Sequence, residues 1–152
     1  FVRFGVKKFI LLDGGISTHI PLQILSSTMR NKYGATLAVT NFHGVSGPAA
    51  QKVCQQKSGG HGDEEETSTM LAIRPDLVKM ELAAEEYNAP KVENQIQDGL
   101  AVAHIATAMD TPHGVNGNSK LATREKGEYI LENMVERLVL FTEGFIRWDP
   151  EA

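Results

Sequence analysis

Hydrophobic and polar positions along the chain switch between a strand-like and a helix-like period. Val6 to Leu12 (VKKFILL) is a short β-prone run closed by Asp13-Gly14-Gly15, which predicts a buried strand ending in a tight turn. Ser17 and Thr18 then offer N-caps for an amphipathic helix carrying Ile20, Leu22, Ile24, Leu25 and Met29 and stopping near Gly34. Ala35 to Asn41 (ATLAVTN) is a second β-prone run. Strand, helix and strand within roughly 35 residues make a βαβ unit, which implies a parallel sheet with functional loops at the carboxyl ends of its strands.

The rest of the chain is less regular. His43 to Gly60 holds Gly44, Gly47, Pro48, Ser58, Gly59 and Gly60 around a helical turn at Ala49 to Gln56, and reads as a long loop of the active-site type. Thr67 to Ile73 predicts a short helix that ends by Arg74, because Pro75 disfavours helical geometry in the residue before it. Asp76 to Met80 opens another short element, and Asn88 to Gly99 has little periodicity. Leu100 to Ala108 suits a strand by its position, although its composition also fits a buried helix. Thr123 to Phe145 is the clearest helix, with Ile130, Met134, Leu138 and Phe141 about four apart.

Composition narrows the class. With 152 residues, 41% hydrophobic and 22% charged, the chain is an ordinary globular sequence of one expected domain, long enough to bury a core without staples. Cys54 is the only cysteine, which excludes a disulfide framework and fits a reducing, cytoplasmic setting; nothing near it lowers its pKa. The net charge of −4 and the scattered Lys and Arg argue against a nucleic-acid partner. No apolar run approaches the ~20 residues of a membrane span, so no membrane partner is expected. The chain opens at Phe1 and runs almost at once into a strand, as a processed product or a piece of a longer protein would.

The densest polar cluster is His61-Gly62-Asp63-Glu64-Glu65-Glu66-Thr67-Ser68. Three readings of it stand open. The acids can lie in the first turn of a helix and offset its exposed N–H groups. His61 with Glu64 or Glu66 can hold a divalent metal, for which imidazole and carboxylate are normal ligands. One carboxylate can act as a general base on water.

The run HGDEEETSTMLAIRPDLVKM, His61 to Met80, resembles a motif of the creatininase (creatinine amidohydrolase) family: His-Ala-Gly-Glu-x-Glu-Thr-Ser, then Met-Leu, then Arg-Pro-Asp-Leu-Val. A second block, Gly114 to Ser119 and Ala122-Thr123-Arg124-Glu125-Lys126-Gly127, is similar to the family's Gly-Val-x-Gly-Asp-Pro and Ala-Thr-x-Glu-Lys-Gly. The resemblance implies an α/β fold, a three-layer sandwich with a mostly parallel sheet. It also implies hydrolysis of a cyclic or formyl-type amide through water activated by zinc or manganese, in a homo-oligomer, often a hexamer. On that scheme Glu64 is a metal ligand, and His61 and Glu66 are the catalytic side chains. From their positions, Asp13 is a candidate second metal ligand or a turn former, His43 a contact to a small-molecule amide substrate or a solvent-facing loop histidine, and His113 a pocket residue contacting that substrate. Glu65 is expected to face solvent, and Glu64→Gln to lower metal content without unfolding the protein.

Two departures bear on activity. Where the family's strand is followed by Asn-Gly-His-Gly-Gly-Asn, whose His binds metal, Gly15 stands at the His position, with Asp13 and His19 nearby. The family's upstream Glu-x-His-Gly-x-His-x-Pro segment has no counterpart, so an amino-terminal segment or subunit is expected to carry the remaining ligands. The alternative is a non-catalytic family member that retains fold and assembly surface. Of the other candidates, His104 reads as a buried histidine, Asp110 as a pocket residue and Trp148 as a packing or subunit-contact residue.

Overall fold

The computed structural model describes residues 1–15, 17–89, 92, 96–97, 100–101 and 111–149. The chain divides into two compact units, Phe1–Lys52 with Ile130–Ala152, and Val53–Tyr129.

The first unit holds the expected βαβ motif. Strand β1, Lys8–Asp13, and strand β2, Thr36–Asn41, pair in parallel, with Lys8 opposite Thr36 and Asp13 opposite Asn41. Helix α1, His19–Tyr33, connects them and ends at Gly34, whose left-handed φ of 58° lets its N–H return to Arg30 O at 3.1 Å. The helix packs on β2, with Ser26 Oγ donating to Leu37 O at 2.5 Å and Leu22 and Met29 half-buried. Ile20 and Ile24, expected on the inward face, point to solvent instead. The periodicity located the helix but not its rotation, which the Ser26 hydroxyl helps fix.

Helix α2, Phe42–Val53, occupies most of what the sequence presents as a loop. Three contacts offset its helix-breaking residues. Asn41 Oδ1 accepts from Gly44 N at 3.1 Å at the start, and Ser46 Oγ donates to Phe42 O at 3.0 Å. Pro48 has no N–H for the carbonyl four residues back, which is Gly44 O. Arg137 Nη2 donates to that same oxygen at 3.2 Å. Arg137 lies on helix α4, Arg124–Arg147, the long helix expected near the carboxyl end. The last turn of α4 is capped by Lys8 of β1, whose Nζ donates to Phe145 O at 3.2 Å and Ile146 O at 3.0 Å, and also to Trp148 O. Trp148 stacks on Phe145 with ring centroids 6.0 Å apart.

In the second unit helix α3, Glu64–Ile73, begins three residues earlier than its apolar pattern suggests, and Arg74 before Pro75 ends it. Two short 3-10 turns, Pro75–Leu77 and Met80–Leu82, lead to β3, Glu85–Glu86. Strands β4, Ile96–Gln97, and β5, Leu100–Ala101, form an antiparallel pair. The strand expected at 100–108 is described only in its first two residues, and His104 and Asp110 lie outside the described residues. Strand β6, Gly117–Asn118, pairs antiparallel with β3, and a bridge between His61 and Asn116 extends that ribbon. The architecture is α/β: a parallel βαβ pair, with the remaining described strands in short antiparallel pairs. No helix among the described residues is long and apolar enough to cross a membrane.

Candidate functional site

The acidic run His61 to Ser68 is built around the start of α3. Asp63 is the N-cap: its Oδ1 accepts from Glu66 N at 3.0 Å, and its Oδ2 from Gly60 N at 2.9 Å and Gln56 Nε2 at 2.8 Å. Glu66 Oε2 reaches back to accept from Gly62 N at 2.6 Å, a capping-box arrangement displaced by one residue. The reading in which the acids satisfy exposed helix N–H groups therefore describes Asp63 and part of Glu66.

Glu64 has a different environment from the one expected of a metal ligand. Its side chain is fully buried, and Oε2 accepts from Gln55 N at 2.8 Å and Gln56 N at 2.7 Å. Oε1 lies 2.5 Å from Lys126 Nζ, and the same ammonium donates to Leu121 O at 2.8 Å. The counter-charge of this carboxylate is a lysine of the second family-like block. That block also supplies Thr123, whose N–H donates to Ser68 Oγ at 3.1 Å, and Gly127, where a Cβ would lie 1.9 Å from Ser68 O. The two blocks that carry the resemblance thus fold onto each other, and the ion pair and the glycine let α3 and the start of α4 approach closely.

Glu65 corrects a second expectation. It is buried, at 7% exposure, rather than facing solvent, because α3 starts earlier than expected and turns this position inward. Gln56 was missed altogether. It donates to Asp63, and its Oε1 accepts from Glu64 N at 3.1 Å and Asn118 N at 3.0 Å, so it joins the α3 start to β6. A glutamine ahead of a Gly-rich turn gives no sequence signal for such a hub.

A cavity of about 410 Å³ opens beside this network, within the 300–1,000 Å³ range usual for small-molecule sites. Glu66 and Lys79 are its charged residues, and Met70, Leu77, Val78 and Met80 are among its apolar ones. His61 is not part of its lining: its backbone bridges Asn116, N–H to O at 3.3 Å and O from N–H at 2.7 Å, and the residue is exposed. His113 Nδ1 pairs with Glu86 Oε1 at 2.6 Å, and Glu86 Oε2 accepts from His113 N at 3.1 Å. The hydrogen bond from the His113 ring is the main cause holding the Glu86 carboxyl below its ordinary range. Burial, then the charges of Glu64, Glu65 and Asp63, push the Cys54 thiol up to about 12. A thiol held protonated in this way is a poor nucleophile at neutral pH.

The first unit places Asp13 and His43 separately. Asp13 closes β1, and its Oδ1 accepts from Thr18 Oγ1 at 2.6 Å and Gly15 N at 3.2 Å. The Thr18 hydroxyl, more than any other group, holds this carboxyl below the usual carboxylate range. Oδ2 lies 3.2 Å from His19 Nδ1. Asp13 is therefore committed to its own turn and to an imidazole. His43 sits in the first turn of α2, edge-on to Phe42 with ring centroids 5.6 Å apart.

A metal needs about three converging protein ligands with an open position for water. Among the described residues no three His, Cys, Asp or Glu side chains are grouped to hold one. Glu64 is neutralised by Lys126, and Asp13 is held within its turn. The described residues do not fit a complete metal site by themselves.

Comparison with curated proteins gives no match. Solved structures do match. A Bacteroides fragilis protein described as a creatinine amidohydrolase is 25% identical, with a TM-score of 0.76 over 97% of this chain and 57% of its own. A creatininase described as a manganese form is 22% identical, with a TM-score of 0.68, over 94% of this chain and 58% of its own. A mutant creatininase of the Zn–Zn type is 24% identical, with a TM-score of 0.63, over the same shares. The chain thus spans less than two thirds of the length of these relatives. A family model described as creatininase, creatinine amidohydrolase, matches residues 1–142. With nearly its whole length matched, the chain belongs to the creatininase family.

Proposed function

We propose that this chain is the larger part of a hydrolase that opens a cyclic or formyl-type, non-peptide amide C–N bond of a small molecule. The observation that carries the reading is the cavity at Glu66, which lies between two blocks that follow the family pattern in order. Its apolar wall suits the body of a compact substrate, and the Glu66 carboxylate, steadied by Gly62 N–H, is placed to accept an N–H of that substrate. His113 and His43 remain candidates for substrate contact, and His61, at the entry to α3, for proton transfer.

Two structural relatives are described as manganese and zinc forms, which supports zinc or manganese as the metal of the complete enzyme. Since the described residues do not complete a metal site, an amino-terminal segment or partner subunit supplies the ligands in this proposal. A homo-oligomer, a hexamer by resemblance, in the cytoplasm completes it. The second reading, a non-catalytic family member, is favoured by one observation: Lys126 occupies the carboxylate that a metal would need.

The deciding experiment is elemental analysis and intact mass of the natural gene product, with turnover of a panel of cyclic and formyl amides. One or two zinc or manganese ions per subunit with measurable hydrolysis supports the enzyme. A metal-free product without turnover establishes the non-catalytic reading.

A further inference from the structure

The cavity at Glu66 lies wholly within the second unit, and only two of its lining side chains keep polar capacity for a ligand. We propose that the substrate it takes is an amide bearing a carboxylate of its own. Glu66 Oε1 accepts the amide N–H, Lys79 holds the carboxylate, and Lys79 thereby sets the specificity. The inference deepens the hydrolytic reading above and rests on it for the word substrate, whereas the binding site stands on the lining itself.

The polar side chains of the lining are Glu66, Thr67, Lys79 and Ser119. Two of these are satisfied inside the protein. Ser119 Oγ donates to Ala84 O and accepts from Ala84 N, each at 2.9 Å, and Thr67 Oγ1 donates to Gly62 O at 3.4 Å. Glu66 is satisfied on one oxygen only. Its Oε2 accepts from Gly62 N at 2.6 Å, which orients the carboxylate and leaves Oε1 without a hydrogen bond among the described residues. The Lys79 ammonium has neither a hydrogen bond nor an ion pair among the described residues. The rest of the wall is glycine, alanine and larger apolar side chains, of which Met70, Leu77 and Leu82 are exposed and would be covered by a ligand.

The cavity therefore offers one anionic acceptor and one cationic donor on an apolar ground. A neutral amide satisfies only the acceptor. An amide with a carboxylate satisfies both, because its N–H donates where Glu66 accepts and its carboxylate accepts where Lys79 donates. One ammonium matches the single charge of a carboxylate; a phosphate monoester, with about two negative charges, would bring surplus charge beside Glu66. The ammonium sits on a flexible four-carbon stem and can follow carboxylates set at different distances from the amide.

The test is calorimetric titration of the natural gene product with N-formylglycine, N-formyl-β-alanine and N-formyl-γ-aminobutyrate, each beside its neutral carboxamide. At least one acid is expected to bind about tenfold tighter than its carboxamide, the size of one partly exposed charge-assisted hydrogen bond. Lys79→Met is expected to bring that ratio close to one and Lys79→Arg to retain it. Molar NaCl is expected to erode the ratio in the wild type, since the pair is open to solvent. Lys79 is exposed, so both variants are expected to fold, which circular dichroism checks. A ratio near one at every spacing, a preference that survives in Lys79→Met, or binding by none of the acids overturns the inference. Hydrolysis of the same series separates it from the reading it rests on. Amides hydrolysed with no preference for the acids leave the hydrolase standing and overturn Lys79 as the specificity-determining residue. A Lys79-dependent preference in binding with no amide hydrolysed removes the hydrolase and leaves a binding site for carboxylate-bearing amides.

Discussion

Replacing Glu64 by Gln separates a structural carboxylate from a metal ligand. The substitution is nearly isosteric, so no cavity is made and the change is electrostatic. In the native protein the fully buried carboxylate receives two backbone N–H groups and the Lys126 ammonium, and Lys126 is itself only 17% exposed. A glutamine can turn its carbonyl oxygen to the two amides. Its NH₂ then faces the ammonium, donor against donor, and the lysine charge stays in a largely buried position. Removing one partner of a buried pair costs about 3–5 kcal/mol, chiefly through the stranded charge. For a chain of this length each kcal/mol lowers Tm by roughly 2–4 °C, so a fall of roughly 6–20 °C is expected. Urea unfolding followed by circular dichroism, with the slope unchanged, measures the loss directly. Metal bound per folded chain should match wild type. The reasoning is refuted if Glu64→Gln stays within about 1 kcal/mol of wild type while its metal content drops. That result would return Glu64 to the role its place in the motif suggests.

Other outcomes follow from single contacts. Gly127→Ala puts a Cβ 1.9 Å from Ser68 O, a backbone atom that has no rotamer to escape through, and should cost about 3 kcal/mol in urea unfolding. Glycine-to-alanine at Gly144, where a Cβ meets nothing, is the control and should not destabilise. Cys54, with its thiol pushed up to about 12, should react with iodoacetamide at pH 8 about a thousandfold more slowly than an ordinary thiol, until urea unfolds the chain. Asp13, Glu86 and Glu125 have folded-state pKa values below their unfolded ones, so the unfolded chain binds more protons in acid. Their contribution is whole above about pH 4.3 and is lost as pH falls through the folded values; the urea midpoint should drop over that range, less steeply in Glu86→Gln. Arg137→Met should cost about 1 kcal/mol in wild type and less beside Pro48→Ala, which gives Gly44 O back a helical donor; equal costs in a double-mutant cycle would detach the arginine from the proline.

The sequence disclosed what depends on near neighbours and hid what depends on distant ones. The βαβ start was legible because strand, apolar period and Gly34 stop agree over a short span, although Thr18 at the N-cap position gives its hydroxyl to Asp13 and not to the helix. Helix α2 was not, because Gly44, Gly47 and Pro48 are local breakers, and the compensating donor, Arg137, lies 93 positions further along. The same distinction governs the acidic run. The resemblance identified His61 to Ser68 and Ala122 to Gly127 as two blocks, and a block of acids next to a histidine suggests a metal. Only folding shows that the cation for Glu64 is already encoded 62 residues later as Lys126. Glu65 went inward for the same reason, since Asp63 and its three donors start the helix earlier than any apolar period reveals. A motif therefore records which residues occur together, and the pairing of their charges determines what they do. In this chain the acids that mark the family hold the second unit together, while two histidines outside the acidic run rest on carboxylates of their own, His19 on Asp13 and His113 on Glu86.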